Sequence, residues 1–343
     1  MAKLPSCEDY EISINNAQLI KSLALNGGHV EKNSLGVTIN YVGGFCIVFP
    51  YFKSSGDKVA VRCWIARVDN AQERTRLIAE ELKRINLPYF VNFEYEQNGI
   101  ATNLGVQPIV LMDWVEANSL KDFIQDNLCN PDALRNLAES FKTMVSDLHR
   151  SCISHGDLQH GNILVRNNGS LVLVDYDSMY VPSLEGYKDE IKGLSGYQHP
   201  ARWDSEYTSK KNDYFSELVI YTSIIALSYF PGLWDELKME DTETLLFSPD
   251  DIKSGGNSYI FRKLESHPQL KELSLAIKKA LECNSIEELL PLEEAIIPKT
   301  QRIGGGIRKK WNTPQQQEPK QEYVPDTTNT RAKWNKTKLS GKW

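Results

Sequence analysis

An aspartate, an amide five positions on and a second aspartate eighteen positions beyond the first carry the chemistry of this chain. They are Asp157, Asn162 and Asp175, in the stretches His155-Gly156-Asp157-Leu158-Gln159-His160-Gly161-Asn162 and Leu171-Val172-Leu173-Val174-Asp175-Tyr176-Asp177. Magnesium takes oxygen ligands in near-octahedral geometry and draws only one or two of them from protein. Asn162 and Asp175 suit that demand. Asp157 is a carboxylate able to orient an acceptor hydroxyl and take its proton, as phosphoryl transfer requires. The plainer alternative is a turn and a strand end whose carboxylates are merely solvated. The order and joint spacing of the two motifs favour the chemical reading.

Several elements must position these groups. Residues 163–165, a turn at Asn167-Asn168-Gly169 and residues 171–174 predict a hairpin that returns Asp175 beside Asn162. Leu134, Leu137, Phe141, Val145 and Leu148 form one apolar stripe, predicting a helix over 133–149 that leads into the Asp157 loop. Upstream, 36–50 and 58–66 read as strands, and 70–86 as a helix with Leu77, Ile78, Leu82 and Ile85 at helical spacing. Residues 90–95 and 109–114 complete a sheet expected to have five strands. Ser119 is expected to cap a helix over 120–128. A strongly apolar helix is expected over 213–230, and two further helical patterns over 262–283 and 286–296. The polar leader has weak helical character around 17–25.

Together these motifs resemble the protein kinase superfamily over about residues 35–295. The Asp157…Asn162…Asp175 core is similar to that of aminoglycoside and choline phosphotransferases too, so the acceptor must be chosen from other positions. Gly196-Tyr197-Gln198-His199-Pro200-Ala201 resembles the segment ending in Ala-Pro-Glu that closes an activation loop. Asp213-Tyr214-Phe215-Ser216-Glu217-Leu218 resembles the helix start whose aspartate braces the catalytic loop, with an ordinary capped apolar helix as the alternative. The resemblance implies an α+β, two-lobed protein-kinase-like fold. A small antiparallel sheet lobe with one main helix (about 35–112) would precede a larger, mainly helical lobe (about 116–298), with residues 1–34 packed on the small lobe. It implies ATP and Mg2+ as cofactors, with Asn162 and Asp175 on the metal. The nucleotide would lie under Gly43 and Gly44, among Val48, Ala60 and Met112, and against the backbone of Asp113-Trp114-Val115-Glu116. Arg62 and Glu81 would position its phosphates, and His155 and Asp213 would support the loop. The expected reaction is transfer of the γ-phosphoryl group to Ser or Thr hydroxyls of a protein.

Several positions depart from the family pattern. Arg62 stands where kinases keep a strand lysine, and its planar fork is not equivalent to a compact ammonium. Either the site is rebuilt around arginine or turnover is weak, which keeps open a pseudokinase acting as a binding scaffold. Phosphorylation of a small molecule is the third reading. Glu81 is chosen over Glu80 and Glu73 as the arginine's partner because it shares a helix face with Leu77 and Ile85. Tyr41-Val42-Gly43-Gly44-Phe45-Cys46-Ile47-Val48 keeps one or two glycines where the Gly-rich loop has three, with a simple hairpin turn as the alternative. Gly156 replaces an arginine that binds a loop phosphate, so control by loop phosphorylation is not expected. Gln159 replaces a lysine and Asp177 a glycine.

The chain has 343 residues, 41% hydrophobic and 24% charged, the balance of an ordinary globular protein. No run of about 18 apolar residues predicts a membrane span, and no apolar signal core follows Met1. Six scattered cysteines without metal spacing point to reduced thiols in the cytoplasm, with no zinc site. Residues 299–343 hold eleven Lys/Arg against three Asp/Glu, a balance of +8; a whole-chain charge of −6 therefore leaves −14 on the rest. This tail, with Lys310-Trp311-Asn312, Lys333-Trp334-Asn335 and Lys342-Trp343, is expected to be disordered. It would bind an acidic partner or the chain's own lobes, nucleic acid being the less favoured partner, or serve as a plain tether.

Overall fold

A computed structural model describes residues 3–67 and 70–297. The expectations for the Lys-Trp tail lie outside the described residues. Helix α1 (Cys7–Ile14) starts earlier than the helical character expected around 17–25, where only a 3-10 turn, Leu23–Leu25, forms. A capping box explains the shift: the Ser6 hydroxyl accepts the Asp9 amide while the Asp9 carboxylate accepts the Ser6 amide. Tyr10, Ile14 and Leu25 then pack on Ile47, Phe49, Tyr51 and Val61, so the leader covers the outer face of the first sheet.

That sheet has six strands rather than five. β1 (His29–Val30) was not foreseen; β2 (Tyr41–Val42), β3 (Cys46–Phe52), β4 (Lys58–Trp64), β5 (Phe93–Thr102) and β6 (Gly105–Asp113) follow. Their order is β1-β3-β4-β6-β5, antiparallel throughout, with β2 also on β3. β5 runs past its expected end because Gln97-Asn98-Gly99 lies at a bulge between Glu96 and Ile100, not at a turn. Register decides which side chains reach the cleft: Val48 opposes Arg62, and Ala60 opposes Met112. Helix α2 (Ala71–Ile85) packs on β5, burying Arg74, Thr75, Ile78 and Leu82.

The second lobe begins with β7 (Asn118–Ser119) and α3 (Leu120–Asp126), the Ser119 hydroxyl accepting the Asp122 amide at 3.1 Å. Helix α4 (Pro131–Arg150) buries Leu134, Leu137, Phe141, Val145 and Leu148 and leads into the Asp157 loop. β8 (Ile163–Val165) and β9 (Leu171–Leu173) form the expected hairpin, Ile163 opposite Leu173. Helix α5 (Tyr214–Tyr229) is buried nearly all round, which is why its apolar residues show no single stripe. Short helices α6 (Leu233–Glu236) and α7 (Pro249–Lys253) precede α8 (Tyr259–Glu265) and α9 (Pro268–Leu281). The single pattern expected over 262–283 breaks at His267, held extended by the following proline. Of the pattern expected over 286–296, a 3-10 turn and α10 (Leu292–Ala295) form.

One apolar core runs through both lobes, from Val48, Ala60 and Met112 to Leu173, Tyr176 and Phe215. Tyr176 stitches them together: its ring sits edge-on to Phe90 and Phe93, and its hydroxyl donates to Leu173 O and accepts from Val91 N.

Candidate active site

Helix α4 delivers the loop 154–162, and the start of α5 holds it. Asp213 turns its carboxylate back to accept the amides of His155 and Gly156, the latter at 2.8 Å. His155 is fully buried and its Nε2 bonds the Val174 carbonyl at 2.9 Å. The loop is thereby tied both to α5 and to the segment that delivers Asp175. The amide of Asn162 donates through Nδ2 to the Asp157 carbonyl (2.9 Å) and carboxylate (3.2 Å). The Val174 amide bonds the Asn162 carbonyl at 3.0 Å, so the hairpin brings Asp175 back to the same place.

Asp175 adopts φ 66°, ψ 75°, a left-handed conformation uncommon outside glycine. Such backbone strain concentrates at functional sites. The Asp157 carboxyl is pushed above its usual range, chiefly by burial and partly by the Asp175 charge, while the Leu194 amide, His155 and Arg202 oppose the shift. Leu194 N donates to Asp157 Oδ1 at 2.8 Å, laying the segment after Asp175 directly on this group. Gly193 permits that approach, since at φ +80° an added Cβ would sit 2.7 Å from the same oxygen.

Val48, Ala60, Arg62, Met112, Asp113, Trp114, Val115, Val174 and Asp175 line one slot between the lobes, enclosing about 30 Å3. Val48, Ala60, Arg62, Met112 and the segment Asp113-Trp114-Val115 were all expected at a nucleotide. The glycine loop is a tight hairpin, Gly43 N bonding Cys46 O at 2.8 Å, with open space beside Gly44. Tyr41 and Trp114 approach one another at 6.1 Å over the slot's outer strands, and Lys58 Nζ lies 4.3 Å above the Trp114 ring.

Arg62 is 6% exposed, with its Nη2 in an ion pair with Asp177. Its Nη1 is buried and has no hydrogen-bond partner. Burial by itself would weaken the guanidinium's hold on its proton, and the Asp175 carboxylate opposes that.

The expected Arg62–Glu81 pair is not formed. Glu81 instead binds Arg84, at 2.6 and 2.9 Å; the most buried stripe of α2 is Arg74, Ile78 and Leu82, with Leu77, Glu81 and Ile85 along its edge. Glu80 is likewise committed, to Arg76 at 2.6 Å. Gln159 curls back to accept the Gly161 amide at 2.7 Å instead of reaching outward.

Sequence reasoning missed Arg202 altogether. It is completely buried and grips Asp189 with two bonds, at 3.0 and 3.1 Å, while donating to the carbonyls of Gly156 and Ile191 and to the Gln198 amide. An arginine directly after His199-Pro200-Ala201 was the available signal, but its partner lies thirteen residues upstream in a segment without periodicity. Among the described residues no helix is long and apolar enough to cross a membrane. A family model described as the protein kinase domain matches residues 42–270. No curated protein matches the chain.

Proposed function

The chain belongs to the protein kinase family, and from that premise we propose that it is an ATP- and Mg2+-dependent phosphotransferase acting on Ser or Thr hydroxyls of a protein. The observation that carries this reading is the buried Nη1 of Arg62, without a hydrogen-bond partner, in the wall of a slot lined mainly by apolar side chains with Asp175 beside it. A buried guanidinium nitrogen without an acceptor is costly, and a phosphate oxygen is the acceptor its fork suits. Val48, Ala60, Met112 and Val174 offer flat apolar faces to a purine. Among the described residues the Val115 amide makes no backbone hydrogen bond, which leaves it for the base edge beside the Asp113 backbone. Gly43 and Gly44 let the loop backbone approach phosphate.

ATP would supply the phosphoryl group, and Mg2+ would neutralise its oxygens. Asp157 orients the acceptor hydroxyl and takes its proton; a carboxylate raised by burial is the stronger base. Asn162, whose Nδ2 is spent on Asp157, has its side-chain Oδ1 left for the metal, and Asp175 is the second protein ligand. Arg62 holds the phosphates with its free arm. The nucleotide, the protein acceptor and the cytoplasm as its site of action belong to this same reading.

The narrowness of the slot favours a second reading, a pseudokinase that recruits partners. Ligand pockets are usually about 300–1,000 Å3, so the lobes must part before a nucleotide enters. One experiment separates the two: incubation of the full chain and of Asp157→Ala and Asp175→Ala with labelled ATP and Mg2+. Label on protein with the parent and its loss in both variants is expected. Equal label in all three rejects the assigned roles, and no label in any, with a protein acceptor present, favours the scaffold. Arg62→Lys is expected to give no large gain, because the surroundings are built for a guanidinium.

A further inference from the structure

The arginine in the slot obtains its counter-charge from an unusual quarter. Arg62 is buried, and a buried cation left without a carboxylate is strongly destabilising. All three glutamates of α2 are engaged away from Arg62. Glu81 is on Arg84, Glu80 is on Arg76, and Glu73 hydrogen-bonds Tyr187. The carboxylate that meets Arg62 is Asp177, in the 3-10 turn Tyr176–Ser178 that follows directly on Asp175. The left-handed Asp175 and that turn bring both acidic side chains toward one guanidinium.

The geometry points to Asp177 as the positioning residue that holds Arg62 for phosphate, so that the phosphate site is assembled without a carboxylate from α2. The inference rests on the reading of the slot as a nucleotide site. A guanidinium suits the arrangement where an ammonium would not, since one arm can stay on Asp177 while the other offers Nη1 to a ligand. The inward face of α2 is given a different task. Arg74 reaches the carbonyls of Met179 and Lys188, both at 3.4 Å. α2 is thereby tied directly to the backbone of Met179 and Lys188.

Two arms test this on the full-length chain. Without nucleotide, thermal midpoints are compared for Arg62→Met, Asp177→Asn and the double variant. The double variant is expected to lie close to Arg62→Met, since either change alone already breaks the pair. With Mg2+ and ATP or a non-hydrolysable analogue, calorimetric Kd and steady-state KM and kcat are measured for Asp177→Asn, Asp177→Glu and Glu81→Gln. Asp177→Asn is expected to weaken nucleotide binding and raise KM about tenfold or more with a smaller effect on kcat, as loss of one charge-assisted contact implies. Asp177→Glu is expected to recover most of the affinity, and Glu81→Gln to bind as the parent does. Additive midpoints overturn the proposal whether or not nucleotide binds. So does weakened binding in Glu81→Gln with Asp177→Asn unchanged, or equal loss in Asp177→Asn and Asp177→Glu that follows their midpoints. Coupled midpoints in a chain that binds no nucleotide would reject the nucleotide site while keeping Asp177 as the arginine's counter-ion.

Discussion

Gly156 occupies a position where no side chain fits. Its φ is +80°, and an added Cβ would lie 2.0 Å from the Ser178 carbonyl oxygen. Gly156→Ala is expected to cost at least ~1–3 kcal/mol from backbone strain alone. A denaturant midpoint equal to the parent's would contradict the crowding. Two histidines in the same lobe titrate in opposite senses. His160 accepts from Tyr197 Oη at 2.7 Å, and burial, the largest influence, pushes it down to about 4. Its contribution is complete above the unfolded value of ~6.5 and is lost as pH falls toward 4. His149 lies between Glu217 (2.8 Å) and Glu293 (3.1 Å); burial opposes its charge, but the two carboxylates prevail and raise it to about 9. Its contribution is complete below ~6.5 and fades as pH rises through 9. Denaturation midpoints of His149→Gln and the parent should therefore converge at alkaline pH and diverge near neutrality. Asp157, raised by burial, should set an acid limb in kcat/KM above the ordinary carboxylate value of ~3.9. A limb at or below that value would count against it as the base.

The segment between Asp175 and α5 carries its own fastening. Asp189 N bonds Glu206 O, Thr208 N bonds Tyr187 O, and the Arg202–Asp189 pair sits inside the resulting loop. Because Arg202 also holds the Gly156 carbonyl, the carboxylate that fastens this segment is part of the chain, and no added phosphate is expected to be needed. Removing one partner of a buried pair typically costs ~3–5 kcal/mol, so Asp189→Asn should lower both stability and activity. Phosphatase treatment of the parent should leave activity unchanged; a loss would show that a loop phosphate contributes. Helices were the most legible elements. α4 and α5 fall within three residues of their expected bounds, since stripe and all-round apolarity both survive in one dimension. The facing of α2 was misjudged by one position, because Glu81 and Arg74 are equally polar and only packing on β5 distinguishes the inward one.

At the scale of the molecule, the two lobes share a core and close on a slot of about 30 Å3. Nucleotide at 100 times its Kd should stabilise the folded state by about 2.7 kcal/mol, seen as a rise in thermal midpoint with Mg2+ that Asp175→Ala diminishes. No rise in the parent at saturating nucleotide would argue for the scaffold. Helices α4 and α5, the hairpin that returns Asp175 and the family were readable from residue order, because local periodicity and short motifs are properties of neighbouring residues. The partners of Arg62, Arg202 and His149 were not, since they lie 115, 13 and 68 positions away. Which carboxylate meets which cation depends on how buried faces pack, and a pattern of charges along the chain does not encode that distance.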